Sequence, residues 1–88
     1  MANIASQIKR NRQNEVRRRR NQAIRSEMKT KMRKALETAE SGDAAAAREA
    51  LRLAQQRIDT AVAKGLLHRK TAARRKARLH NRVEQLLG

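Results

Sequence analysis

Between Ile24 and Ala39 the apolar residues Ile24, Met28, Met32, Ala35, Leu36 and Ala39 recur at three- and four-residue intervals. At about 100° per residue they share one face of a helix, as a core-facing stripe does. No glycine or proline occurs from Met1 to Ser41, so nothing ends that helix on its N-terminal side. Ile4 to Glu40 therefore reads as one helix of about 55 Å at ~1.5 Å per residue, with Asn3 or Ser6 as its N-cap. Followed backwards from Ile24 in steps of seven, the stripe passes through Arg17 and Arg10, flanked by Asn14 and Asn21. Only the second half of this helix has an apolar face to bury.

Two further helices follow from the same periodicity. Ser41-Gly42-Asp43 stops the first helix and starts the next: Gly42 suits the left-handed position after a helix end, and Asp43 suits an N-cap. From Ala44 to Ala63 one face carries Ala47, Ala50, Leu51, Ala54, Ile58, Ala61 and Val62. Leu53 lies off that stripe and reads as a lone exposed apolar residue. A second turn, Lys64-Gly65-Leu66-Leu67-His68, leads to a helix from Arg69 to Leu87. Its apolar face is Ala72, Leu79, Val83, Leu86 and Leu87, and its basic face is Lys70, Arg74, Arg75, Arg78 and Arg82. Short turns between amphipathic segments predict an all-α, antiparallel three-helix bundle with a long, basic, overhanging first helix. Residues 1–88 form one domain, with the bundle over 24–88 and the overhang over 1–23. The bundle is about 26 Å long and the overhang about 30 Å.

Charge sharpens this division. The net charge is +15, with twelve Lys or Arg against two acids in residues 1–34, three against five in 35–63, and eight against one in 64–88. The middle helix is a scaffold by charge, and both ends face an anion. Cations sit at the N-terminal ends of the first and third helices, against their dipoles, so the charge serves something external. The chain has no Phe, Tyr or Trp. A purely aliphatic core in 88 residues predicts a bundle that is marginal alone and leans on a partner. The run Arg17 to Arg20 covers about 300° of azimuth. No flat surface can engage all four: either some are merely solvated, or the segment lies between anionic elements on several sides, which is the reading favoured for a stable complex.

The chemistry available is narrow. There is no cysteine, hence no disulfide or thiolate metal site, in keeping with a reducing compartment. The two histidines, His68 and His80, lie twelve positions apart without companion ligands and read as structural. No glycine-rich phosphate loop or nucleophile–base pairing occurs, so the chain reads as a non-enzyme without cofactor, metal or small-molecule substrate. No apolar run approaches the roughly 20 residues of a membrane span. An Arg-rich, acid-poor N-terminus is also a feature of mitochondrial transit peptides, but targeting would not explain the basic C-terminal helix. Nucleic acid is the partner class that fits, and the missing aromatics point to phosphate and shape contacts with folded or duplex RNA rather than base stacking on a single strand. Two rivals are weaker. A basic-zipper DNA reading of Asn21, Ala23 and Arg25 needs three or four sustained heptads, and the stripe stops at Gly42. An amphipathic membrane helix needs a bulky apolar face, where the overhang has only Ile4, Ile8 and Val16.

The sequence also resembles the bacterial small-subunit ribosomal protein S20 family over essentially its whole length. The resembling residues are Met1-Ala2-Asn3-Ile4, Ser6, Lys9-Arg10, Arg25-Ser26, Met28, Thr30, Gly42-Asp43 and Ile58-Asp59. Most specific are Lys64-Gly65, His68, Ala72-Ala73-Arg74, Lys76 and Arg78-Leu79. The chain departs at Ala5, Lys70 and Ala77, where lysine, asparagine and serine are usual. The resemblance implies a cytoplasmic three-helix protein of the ribosome that binds 16S ribosomal RNA directly and early in assembly. Other small-subunit components would surround it. It implies RNA contacts at Asn3, Ser6, Lys9, Arg10, Arg25, Ser26, Lys64, His68, Arg74, Lys76 and Arg78. The charge pattern adds Arg12, Arg17, Arg18, Arg19, Arg20, Arg75 and Arg82. With no protein core to join, Met1 to Asn21 is expected to be largely unfolded until RNA orders it.

Overall fold

Three helices, α1 (Ala2–Glu40), α2 (Ala44–Ala63) and α3 (Arg69–Leu87), follow one another through short turns in the computed structural model. It describes residues 2–88, with side chains from Ile4 onward, and no strand occurs among them. Because α1 already begins at Ala2, Asn3 and Ser6 lie inside it and neither is its N-cap. The two turns carry the conformations their residues favour. Gly42 has φ +85° and donates its N–H to Ala39 O at 3.1 Å, while Asp43 Oδ1 accepts from Ala46 N–H at 3.1 Å. Gly65 has φ +73°, and the bonds Gly65 N–H to Val62 O and Leu66 N–H to Ala61 O, 3.0 and 2.9 Å, complete a Schellman closure of α2.

The core consists of two adjoining clusters. One joins Ala35 and Ala39 of α1 to Ala47, Leu51 and Ala54 of α2 and to Leu79 and Val83 of α3. The other joins Met28 to Ile58, Ala61 and Ala72, with Ile24, Leu66 and Leu67 packed against it. Residue number rises along α1, falls along α2 and rises along α3 from the second cluster to the first. The bundle is therefore antiparallel, up-down-up. Five alanines, Ala35, Ala39, Ala47, Ala54 and Ala61, have 1% or less of their surface accessible. Such small side chains let the helix backbones approach closely.

Two apolar residues sit differently from their place in the sequence pattern. Leu86 is exposed, because it projects from the edge of α3's apolar face one turn beyond Val83. Leu53 is half-buried, lining a hollow between α1 and α2 with Ala46, Ala50, Lys31 and Lys34. The two lysines, with Thr38, form the α1 side of that hollow.

N-terminal to Ile24, α1 adds nothing to either cluster. Ile4, Ile8 and Val16 are 59%, 50% and 68% exposed. The molecule measures 66 × 24 × 13 Å, with a radius of gyration of 17.7 Å against about 12 Å for a compact chain of this length. Helix 2–23 thus rests on its own backbone hydrogen bonds and on continuity with the bundle.

Two outcomes follow. Ile58, fully buried in α2, leaves a cavity when cut to alanine. Ile58→Ala should cost about 2–5 kcal/mol, read as a large fall in the midpoint of a far-ultraviolet circular dichroism melt. In the protein without RNA, amide exchange should be fast from Ser6 to Asn21 and slow from Met28 to Ala39. Strong protection at Val16 to Arg20 would show that the projecting segment is ordered without a partner.

Candidate nucleic-acid interface

Half of the eight acidic side chains are paired with cations. On α1, Glu15 Oε1 accepts from Arg18 at 2.9 Å and from Arg19 at 3.2 Å. On α2, Glu49 pairs with Arg52 at 2.6 Å. Two pairs cross between helices: Glu27 of α1 with Arg57 of α2 at 2.9 Å, and Asp59 of α2 with Lys76 of α3 at 2.8 Å. Both tie α2 to its neighbours at the end of the bundle where α1 projects. Every one of these pairs is substantially solvent-exposed, so each contributes little to stability. Arg57 Nε is buried without a protein partner, which offsets part of that pair's gain.

Most of the cations outside these pairs, together with Arg18, form a strip. Along one side of α1 runs a shallow cleft lined by Asn14, Arg17, Arg18, Asn21, Arg25 and Lys29, with Gln22 and Ser26 beside them. These positions repeat every three or four residues, so they stack on one helical face. Between α1 and α3 lies a groove with a floor of Met32, Leu36 and Leu79 and walls of Lys29, Arg75, Arg78 and Arg82. A smaller hollow carrying Arg25, Lys29 and Arg75 joins the two. Around the helix from the cleft, Arg12, Arg17 and Arg20 flank a further depression beside Val16. Among the described residues, no acidic side chain lines any of these surfaces.

The residues singled out from the sequence fall into distinct places. Arg17, Arg18, Arg25, Ser26, Arg75, Arg78 and Arg82 come together on the strip. Arg12 and Arg20 border it. Ser6, Lys9 and Arg10 are exposed farther out on α1, while the side chain of Asn3 lies outside the described residues. Arg19 is turned to Glu15. Arg74 is exposed on α3, and Lys64 is exposed at the α2–α3 turn. Lys76 donates to Asp59. Lys76 and Arg78 are about 200° apart around α3, so one surface cannot engage both.

Two placements were not legible from residue types. His68 is the N-cap of α3: its Nδ1 accepts from Lys70 N–H at 3.1 Å, although Ser, Thr, Asp and Asn are the usual caps. Lys29 lies where cleft, hollow and groove meet. Its signal was present as the continuation of Asn14, Arg18, Asn21 and Arg25, a ladder that the apolar stripe beside it obscures. Among the described residues no cluster of His, Cys, Asp or Glu could hold a metal ion, and no helix is long and apolar enough to cross a membrane.

Residues 2–84 match the family model described as Ribosomal protein S20. A small ribosomal subunit protein bS20 from Streptomyces avermitilis is 49% identical over 88 residues, covering all of both chains. Its counterpart in Salinispora tropica is 51% identical over 83 residues, 94% of each chain. The one in Methylococcus capsulatus is 50% identical over 86 residues, 98% of this chain and 94% of that protein.

The hydrogen bond from Arg18, aided by Arg19, holds the Glu15 carboxyl below its ordinary value of 4.5. A depressed carboxylate pKa means that the pairing is complete at neutral pH and is lost as pH falls through the lowered value. In a carboxyl-carbon NMR titration Glu15 should titrate below 4.5, and Arg18→Ala should return it towards that value. An unchanged midpoint in Arg18→Ala would assign the shift to another cause.

Proposed function

The chain belongs to the ribosomal protein S20 family, and on that premise we propose that it binds 16S ribosomal RNA directly, through phosphate contacts, and stabilises the RNA's fold during assembly. Its family role is structural, within the small ribosomal subunit, and not enzymatic. The observation that carries the RNA reading is the strip of cations shared by α1 and α3, with acidic residues excluded from it. Phosphate contacts by such a surface release condensed counterions, which makes the affinity large and strongly salt-dependent.

The contacts divide by place. Lys9, Arg10, Arg12 and the run Arg17 to Arg20 serve the projecting segment, residues 1–23, while Arg25, Ser26, Arg74, Arg75, Arg78 and Arg82 serve the bundle, residues 24–88. Asn3, Ser6, Lys64 and His68 extend the interface beyond the strip. Lys76 already donates to Asp59, which competes with RNA for its ammonium group. Because Arg17 to Arg20 point to several sides, the projecting segment lies between RNA elements rather than on one of them. Binding completes its order: RNA phosphates supply the contacts that no protein core provides. Other components of the subunit are neighbours through assembly.

Replacing Arg17, Arg18, Arg19 and Arg20 with alanine together should weaken binding to 16S RNA. The slope of log K against log salt should flatten by about 0.7–0.9 per lost contact, up to about 3.6 in all. An unchanged slope would mean that the run is merely solvated. In the same titration folded 16S RNA should outcompete random DNA duplex and anionic vesicles. Equal affinity for RNA and DNA would favour a non-specific polyanion binder.

A further inference from the structure

Where α1 leaves the bundle, a hollow of about 200 Å³ opens between α1, the α2–α3 turn and α3. Its floor is apolar, made by Met28, Ala61, Leu66 and Leu67, and its rim carries Arg25, Lys29 and Arg75. A phosphate group gains nothing from an apolar floor, and an apolar side chain gains nothing from three cations. A nucleotide has both parts. We infer that this hollow receives one unpaired nucleobase of the bound RNA, with its flanking phosphates held by the three rim cations.

The dimensions and chemistry agree. At ~30 Å³ per water the space holds about seven waters, and it is smaller than the ~300 Å³ at which drug-sized sites begin. It therefore suits one heterocycle and not a stack. In a protein without Phe, Tyr or Trp, and with no histidine lining the hollow, the planar guanidiniums of Arg25 and Arg75 are its groups able to stack on a base face. The hollow is also continuous with the rest of the interface: it shares Arg25 and Lys29 with the α1 cleft, and Lys29 and Arg75 with the α1–α3 groove. A base splayed from RNA lying along the strip would enter it without crossing open solvent. Lys29 is thereby a binding residue in the same site.

This inference rests on the RNA-binding reading, and one experiment separates the two. The full-length protein is bound to 16S RNA, the complex is digested with nuclease, and the protected RNA fragment is recovered and rebound to methyl-labelled protein. The methyl groups of Met28, Leu66 and Leu67 should move upfield on binding, since a base ring is the new source of ring current. They should also show intermolecular Overhauser contacts to base protons. A bound fragment whose base protons make no contact with these methyls would overturn the base pocket and leave RNA binding standing. If no fragment is protected, direct RNA binding itself fails, and the pocket with it.

Discussion

Close approach of alanine-faced helices is the constraint on which this structure depends. With no aromatic side chain to fill space, the bundle gains contact by bringing backbones together at Ala35, Ala39, Ala47, Ala54 and Ala61. Ile58, Leu51, Leu79 and Val83 then interleave between them. The central helix α2 provides three of the five alanines, and it is the only helix not dominated by cations. Its neighbours can therefore carry twenty Lys or Arg between residues 1–34 and 64–88 while leaning on a nearly neutral strut. A protein this small and this basic resists compaction through self-repulsion, and segregating the charge to two outward surfaces limits that repulsion.

The two turns and the start of the α1 stripe, set by local sequence, were legible. Gly42-Asp43 and Gly65 mark the turns because φ above zero favours glycine and because a carboxylate caps a helix start. The apolar stripe of α1 begins at Ile24 in the sequence and at Ile24 in the packing. The features set by the relation of one helix to another were not. Asp59 with Lys76 and Glu27 with Arg57 meet only once the helices are in register. Neither pair has a sequence spacing that signals it. Lys76, which the family resemblance places at RNA, is engaged by α2 for the same reason. Leu53 looked isolated because part of the hollow it lines is made by residues of α1.

The candidate interface was partly legible on the same terms. Counting charges along the chain found both basic regions. It could not find that a face of α1 and a face of α3 adjoin, nor that Lys29 stands at their junction. His68 was missed as a cap because its role depends on one ring nitrogen accepting a backbone N–H, which residue type alone does not announce.

Once ordered as a helix, the unbraced half of α1 acts as a lever with its fulcrum near Ile24. Lys9 lies fifteen residues from that point, about 22 Å along the axis. A tilt of roughly 10° at the fulcrum would displace it by about 4 Å, more than the length of a hydrogen bond. The aim of the outermost cations is therefore decided at the base of the helix, where Glu27 holds Arg57 and Met28 is buried against Ile58. A substitution there would misdirect contacts two turns or more away that it never touches.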